Sequence, residues 1–159
     1  EIVVGANARA IKNELLNTPF IEDIIPKMLD YYETKNYIYV HGWIPCNAFG
    51  YGGQANRFLY KENWREATVA DWNYARWYNG MDAARQGVIE PNKTIVCGHW
   101  HASYGHAKID GACSEFGEDA DFSPYYGKGI IALDACTVHS RKVNCIVLED
   151  DPMEKADDK

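Results

Sequence analysis

Thr94-Ile-Val-Cys-Gly-His-Trp-His101 decides how this chain is read: a short β-branched run followed at once by a glycine and two histidines. Val40-His41-Gly42, after Tyr37-Ile-Tyr39, repeats the arrangement upstream. In an open α/β sheet, ligands bind beyond the C-terminal ends of the strands, where loops converge without disturbing the ladder. Imidazole is a common ligand for Zn, Mn and Fe. If the backbone stays extended, His99 and His101 point to the same side, two residues apart. A His-x-His pair in a tight turn would instead be held by local hydrogen bonds, and His41 behind a second strand tilts the reading toward metal.

Working outward, Ile21 to Tyr31 shows apolar residues at helical spacing and leads into the strand Tyr37–His41. Gly50-Tyr-Gly-Gly53 reads as a loop. A second helix is expected from Asn63, with Glu66 completing a capping box and Trp64, Ala67, Ala75 and Tyr78 as its buried stripe, extending to about Ala84 with a break. Pro91-Asn92 marks a turn. Tyr104 to Gly129 is a long connection without period, a kind of segment that is often functional. Gly129-Ile-Ile-Ala-Leu-Asp134 and Val143 to Leu148 read as a closing antiparallel hairpin. One domain over 1–150 and an acidic disordered tail over 151–159 is the simplest division.

The net charge of −7 is concentrated at the end of the chain, since Glu149–Lys159 holds six acids and two bases. Without a basic surface the chain does not coat nucleic acid. A 47% hydrophobic content is that of an ordinary globular protein. Five cysteines, an odd number without a Cys-x-x-Cys pair, fit reduced thiols and a cytoplasmic setting, with Cys97 and Cys145 in core strands. No apolar stretch is long enough to span a membrane. The chain opens at Glu1 directly in the strand-like Ile2-Val3-Val4, which suggests that something upstream belongs with it.

Tyr39-Val-His41-Gly42, the Gly98-His-Trp-His101 segment, Gly129 to Asp134 and the Val143 to Leu148 run, in this order and spacing, resemble the C-terminal half of a calcineurin-like metallophosphoesterase of the bacterial serine/threonine phosphoprotein phosphatase type. The resemblance covers about Asn7 to Asp150. It implies an α/β fold, part of an αββα sandwich with a mixed sheet, and a phosphoesterase that uses two divalent ions (Mn, Fe or Zn). His41 and His99 would ligate one ion and His101 the second or its bound oxygens; the nucleophile is a metal-activated water, so no side chain is catalytic in itself. Two ions about 3.5–4 Å apart lower the pKa of that water and neutralise the phosphoryl oxygens. The family's Asp-x-His, Gly-Asp-x-x-Asp-Arg-Gly and Gly-Asn-His motifs do not occur here, and Gly5-Ala-Asn7 only echoes the last. The chain therefore reads as the histidine half of the centre, inactive alone, with a self-associating apolar face where the other half would pack.

Around the histidines, Trp43 and Trp100 either wall the site against a phosphorylated substrate (a phosphoprotein or a nucleotide) or anchor their loops. Trp64, Trp72 and Trp77 are assigned to the core. Among Arg57, Arg65 and Arg76, Arg76 is the preferred phosphate clamp. Asp134 reads as structural, and His106 and His139 as loop residues; Glu118, Asp119 and Asp121 lack the spacing of a calcium loop. Two other readings compete: a non-catalytic binding or regulatory module that retains the fold, and a structural zinc site on Cys97, His99 and His101, which lacks a remote Cys-x-x-Cys to close it.

Overall fold

The sheet grows from the three apolar runs that the sequence separates most clearly. In the computed structural model, which describes residues 13–14, 16, 18–51 and 54–150, β2 (Tyr37–Val40), β5 (Thr94–His101) and β7 (Ile130–Asp134) lie side by side and parallel. β1 (Tyr31–Glu33) and β6 (Tyr125–Gly127) close the two edges antiparallel, giving the order β1-β2-β5-β7-β6. The architecture is thus α/β with a five-stranded mixed sheet. The expected strand Ile2-Val3-Val4, the Gly5-Ala-Asn7 segment, Gly52-Gly53 and the tail over 151–159 lie outside the described residues.

The chain divides into two compact units, Glu1–Asp30 and Tyr31–Lys159. In the first, the helix expected from Ile21 is a π-turn, Phe20–Ile24, followed by a 3-10 turn, Ile25–Lys27. Pro26 lacks an amide hydrogen and fits only the first turn of a helix, so the pattern cannot propagate. Tyr31, read as the end of this helix, begins β1 instead.

In the second unit, the connection from β2 to β5 packs on one face of the sheet. It contains a separate hairpin, β3 (Asn47–Tyr51) and β4 (Gln54–Leu59), where the sequence suggested only a glycine loop. Two short helices follow, α1 (Val69–Ala75) and α2 (Gly80–Arg85). The single helix predicted from Asn63 is not formed. Asn63 makes no side-chain cap, and Trp64–Glu66 is an isolated 3-10 turn. The capping box lies five residues later, on Thr68 and Asp71, while Asn79 caps α2 through the amides of Met81 and Asp82.

Alternation along the strands divides their side chains between two faces. Ile38, Ile95, Cys97, Ile130 and Ala132 point into the core built with Trp43, Phe58, Trp64, Trp72, Met81 and Val88. Val96 and Ile131 lie on the opposite parity and are also buried. Trp64 packs edge-on against Trp72 and Tyr31, and the Trp72 and Tyr31 rings stack with centroids 5.4 Å apart. Above them Arg65 bridges Glu33 and Glu90 at 2.6 and 2.8 Å, and Lys93 reaches Glu33 at 2.9 Å. The Arg65 hydrogen bond holds the Glu33 carboxyl below its ordinary value. Burial pushes Glu90 up, but hydrogen bonds from Tyr60, Trp64 and Arg65 outweigh it and leave it lowered.

The closing hairpin is rearranged. β7 pairs with β6, which precedes it, and Val143 to Leu148 forms no ladder. That segment is tied by its side chains: Asn144 donates to the Phe122 carbonyl, and Asp150 accepts from the Asn36 amide and the Thr34 hydroxyl. Cys145, expected in the core, is consequently exposed. No helix among the described residues is long and apolar enough to cross a membrane.

Candidate functional site

Parallel pairing of β2 with β5 runs through Tyr39↔Val96 and is extended by one bond, from the Gly98 amide to the His41 carbonyl at 2.9 Å. β2 stops at Val40, while β5 runs on to His101 through an irregular stretch. His41, just past β2, and His99, within the last part of β5, meet with ring centroids 5.1 Å apart. They are far apart in sequence and adjacent only because the sheet is parallel here. Burial, and then the neighbouring His41, lower the His99 pKa below its ordinary 6.5, so His99 is a neutral imidazole at neutral pH.

The motif does not stay extended, which corrects the expected geometry. His99 has φ of +64°, in the left-handed region that a non-glycine residue rarely occupies. Between Cys97↔Ala132 and His101↔Asp134 the register slips, with four steps along β5 matching two along β7. Such a bulge re-aims side chains. His99 turns to His41, whereas His101 turns to Glu115, 3.4 Å from its Oε1, and packs edge-on against Phe116. Ser103 lies 3.4 Å from His101 Nδ1 and is itself fully buried. The structure thus joins two of the three predicted ligands and separates the third.

Gly42, next to His41, is required by close approach: a Cβ there would stand 2.4 Å from the Arg76 carbonyl oxygen. The end of α1 presses on this point, and the Trp43 amide donates to the Ala75 carbonyl at 3.0 Å. Trp43 is 0% exposed and its Nε1 donates to the Val88 carbonyl, so it anchors the core and presents no face to a substrate. Arg76 caps the C-terminal end of α1 and its guanidinium bonds Asn73 at 2.7 Å; it does not line the pocket described below. Arg65 is held in the Glu33–Glu90 network, away from any phosphate role. Asp134 accepts from the Cys136 amide at 2.7 Å and shapes the turn after β7, a structural part. His106 lies within 3.2 Å of the Ser123 carbonyl, and Asp119 and Asp121 bond Ser114 and Ser123 locally.

Beside His99 opens a pocket of about 630 Å³. Tyr74, Trp77, Tyr78, Trp100 and Tyr104 supply its aromatic lining, and Asn56, Asn79 and Asp82 its polar edge. Trp77 stands edge-on to His99 at 5.1 Å and is 69% exposed. This overturns its assignment to the core. α1 ends at Ala75, so the helical phase that placed Trp77 with Trp72 no longer applies. Trp100 lines the pocket, its Nε1 3.5 Å from the Trp77 carbonyl. Tyr104 donates to Asp82 at 2.8 Å, and burial followed by that bond pushes its pKa up to about 12.

Among the described residues no three His, Cys, Asp or Glu side chains gather as a metal-holding group. Cys97 points into the core, and burial pushes its thiol up to about 12. No protein-family model, curated protein or solved structure matches the chain at a significant level.

Proposed function

We propose that this chain supplies the histidine side of a dinuclear metal centre in a phosphoester hydrolase. The observation that carries the reading is the meeting of His41, just past β2, with His99, near the C-terminal end of the adjacent parallel β5. Imidazoles suit Mn, Fe or Zn, and these two would fill two positions of one ion; among the described residues no third ligand-type side chain joins them. When bound, the ions supply an activated water and charge neutralisation at phosphorus. The chain's own contribution is to fix the two rings. The Gly98–His41 backbone bond sets their spacing, the bulge aims His99, and Trp77 covers its edge. His101 serves a second ion only by leaving Glu115, which makes it the weaker ligand of the three. All five cysteines are free, which supports a reducing, cytoplasmic setting. A second reading, a non-catalytic module that keeps the fold, is favoured by the same count of two donors in place of a full set.

Titration calorimetry with manganese and zinc separates these readings. Wild type is expected to bind, and His41→Ala and His99→Ala each to lose roughly 10-fold or more in affinity, as second-shell losses alone already reach that size; His101→Ala should lose less. Equal binding by wild type and His99→Ala would overturn the assignment. With manganese, the chain alone should leave p-nitrophenyl phosphate intact, and robust turnover would refute an incomplete centre.

A further inference from the structure

The pocket beside His99 differs chemically from a phosphate site. Among the described residues Asp82 is the one acidic side chain of its lining, no lysine or arginine belongs to that lining, and the nearby Arg85 is paired with Asp82 at 3.3 Å. An anionic phosphoryl group would find neutral donors but no cation there, which favours entry of the uncharged, planar part of a phosphoester. The aromatic side chains provide surface for stacking: Tyr74 and Trp77 are largely exposed, while Trp100 and Tyr104 meet edge-on at 5.5 Å and form a fixed corner. The polar part of the lining is the Asn56 amide, the Asn79 amide nitrogen, whose own oxygen caps α2, and the Asp82 carboxylate, which also accepts from Tyr104 and pairs with Arg85; together they offer the mixture of donors and acceptors that reads a heterocycle edge. The volume of about 630 Å³ accommodates a whole nucleoside and is far larger than a compact ammonium head needs.

We propose that this pocket holds the nucleobase of a nucleoside phosphoester, with the phosphate lying toward the His41–His99 edge. The proposal rests on the reading of that edge as the metal centre. His99 joins the two, since its ring faces His41 on one side and the edge of Trp77 on the other, at 5.1 Å each. The site thereby narrows the substrate class from phosphoesters in general to those with an aromatic heterocycle.

Adenosine, which carries no phosphate, tests the pocket without the centre. Calorimetric titration in the absence of divalent ions should show saturable binding, roughly 10-fold or more tighter than ribose or choline, the margin expected from stacking one base on aromatic rings. Trp77→Ala should lose roughly 10-fold and Trp77→Phe, which keeps a ring, should recover most of it. The exposure of Trp77 keeps the fold out of this comparison. Adenosine binding no tighter than ribose, choline binding tighter than adenosine, or an unchanged Trp77→Ala would each overturn the proposal. The two readings fail separately: a chain that binds manganese but not adenosine keeps the centre and loses the nucleobase site. One that binds adenosine but not manganese keeps the pocket and loses the centre.

Discussion

The two ends of the parallel strands are built on opposite principles. At the N-terminal end, Glu33, Glu90, Arg65 and Lys93 answer one another charge for charge, with Tyr60 and Trp64 donating to Glu90 at 2.7 and 2.9 Å. At the C-terminal end, two imidazoles face each other, one of them on a left-handed backbone. The first arrangement satisfies its partners within the fold and spends its interactions on holding the sheet to its covering layer. The second leaves donor groups directed at each other beside an open aromatic pocket. Stability is concentrated at one pole and chemical potential at the other, a separation expected where a site is placed on a rigid scaffold.

The largest effect should come from the tryptophan that connects the poles. Trp43 follows the His41-Gly42 pair directly, yet is fully buried and bonded to the Val88 carbonyl at 3.1 Å. Trp43→Ala would open a cavity and leave that carbonyl unpaired, at a cost of about 3–5 kcal/mol in urea unfolding. A loss below about 1 kcal/mol would mean that the ring does not anchor the core.

Next comes the charge network. Arg65→Ala removes the cation shared by two carboxylates whose side chains are only 12% and 10% exposed, leaving Glu33 to Lys93 and Glu90 to Tyr60 and Trp64, and should cost about 2–3 kcal/mol at neutral pH. Both carboxyls are lowered in the folded state, so their contribution is fully present above the ordinary value of 4.5 and is lost as pH falls through the folded values. The gap between wild type and Arg65→Ala should accordingly narrow below about pH 4.5 in denaturation curves recorded against pH. A gap that stays constant would show that the arginine acts through its packing on the Trp64 ring, 4.3 Å away, and not through charge.

The contrast between poles also explains what could be read from the sequence. β2, β5 and β7 were legible because each is a short β-branched run that supplies its own signal, and the histidines followed from where those runs stop. The β3–β4 hairpin was not, because Gly50 on one strand and the polar pair Asn56 and Arg57 on the other break the alternation, although a Gly-Gly pair between two runs is itself a hairpin signal. The helix start was misplaced because Asn63/Glu66 and Thr68/Asp71 both carry capping residues at the same spacing. Only packing chooses between them: Trp64 is drawn into the core as a lone turn, and the helix begins after it. Trp77 and His101 were misread for one reason, that an ideal period was extended past a residue where the backbone leaves it.

That departure at His99 can itself be tested, with the smallest and most selective effect. A β-branched residue is a poor occupant of φ +64°, whereas glycine takes it freely. His99→Gly should therefore fall within about 1 kcal/mol of wild type in stability, as relief of strain offsets the lost ring contacts and the greater freedom of the unfolded chain. His99→Val should be less stable than His99→Gly by about 1–2 kcal/mol, even though it buries more apolar surface. Both remove the imidazole, so both should lose metal affinity equally. Equal stability of the two variants would mean that the backbone relaxes once the ring is gone, and that the left-handed turn is held by the His41–His99 contact. A persistent difference would place its cause in the β5–β7 register slip, with the histidine carried into position by the sheet.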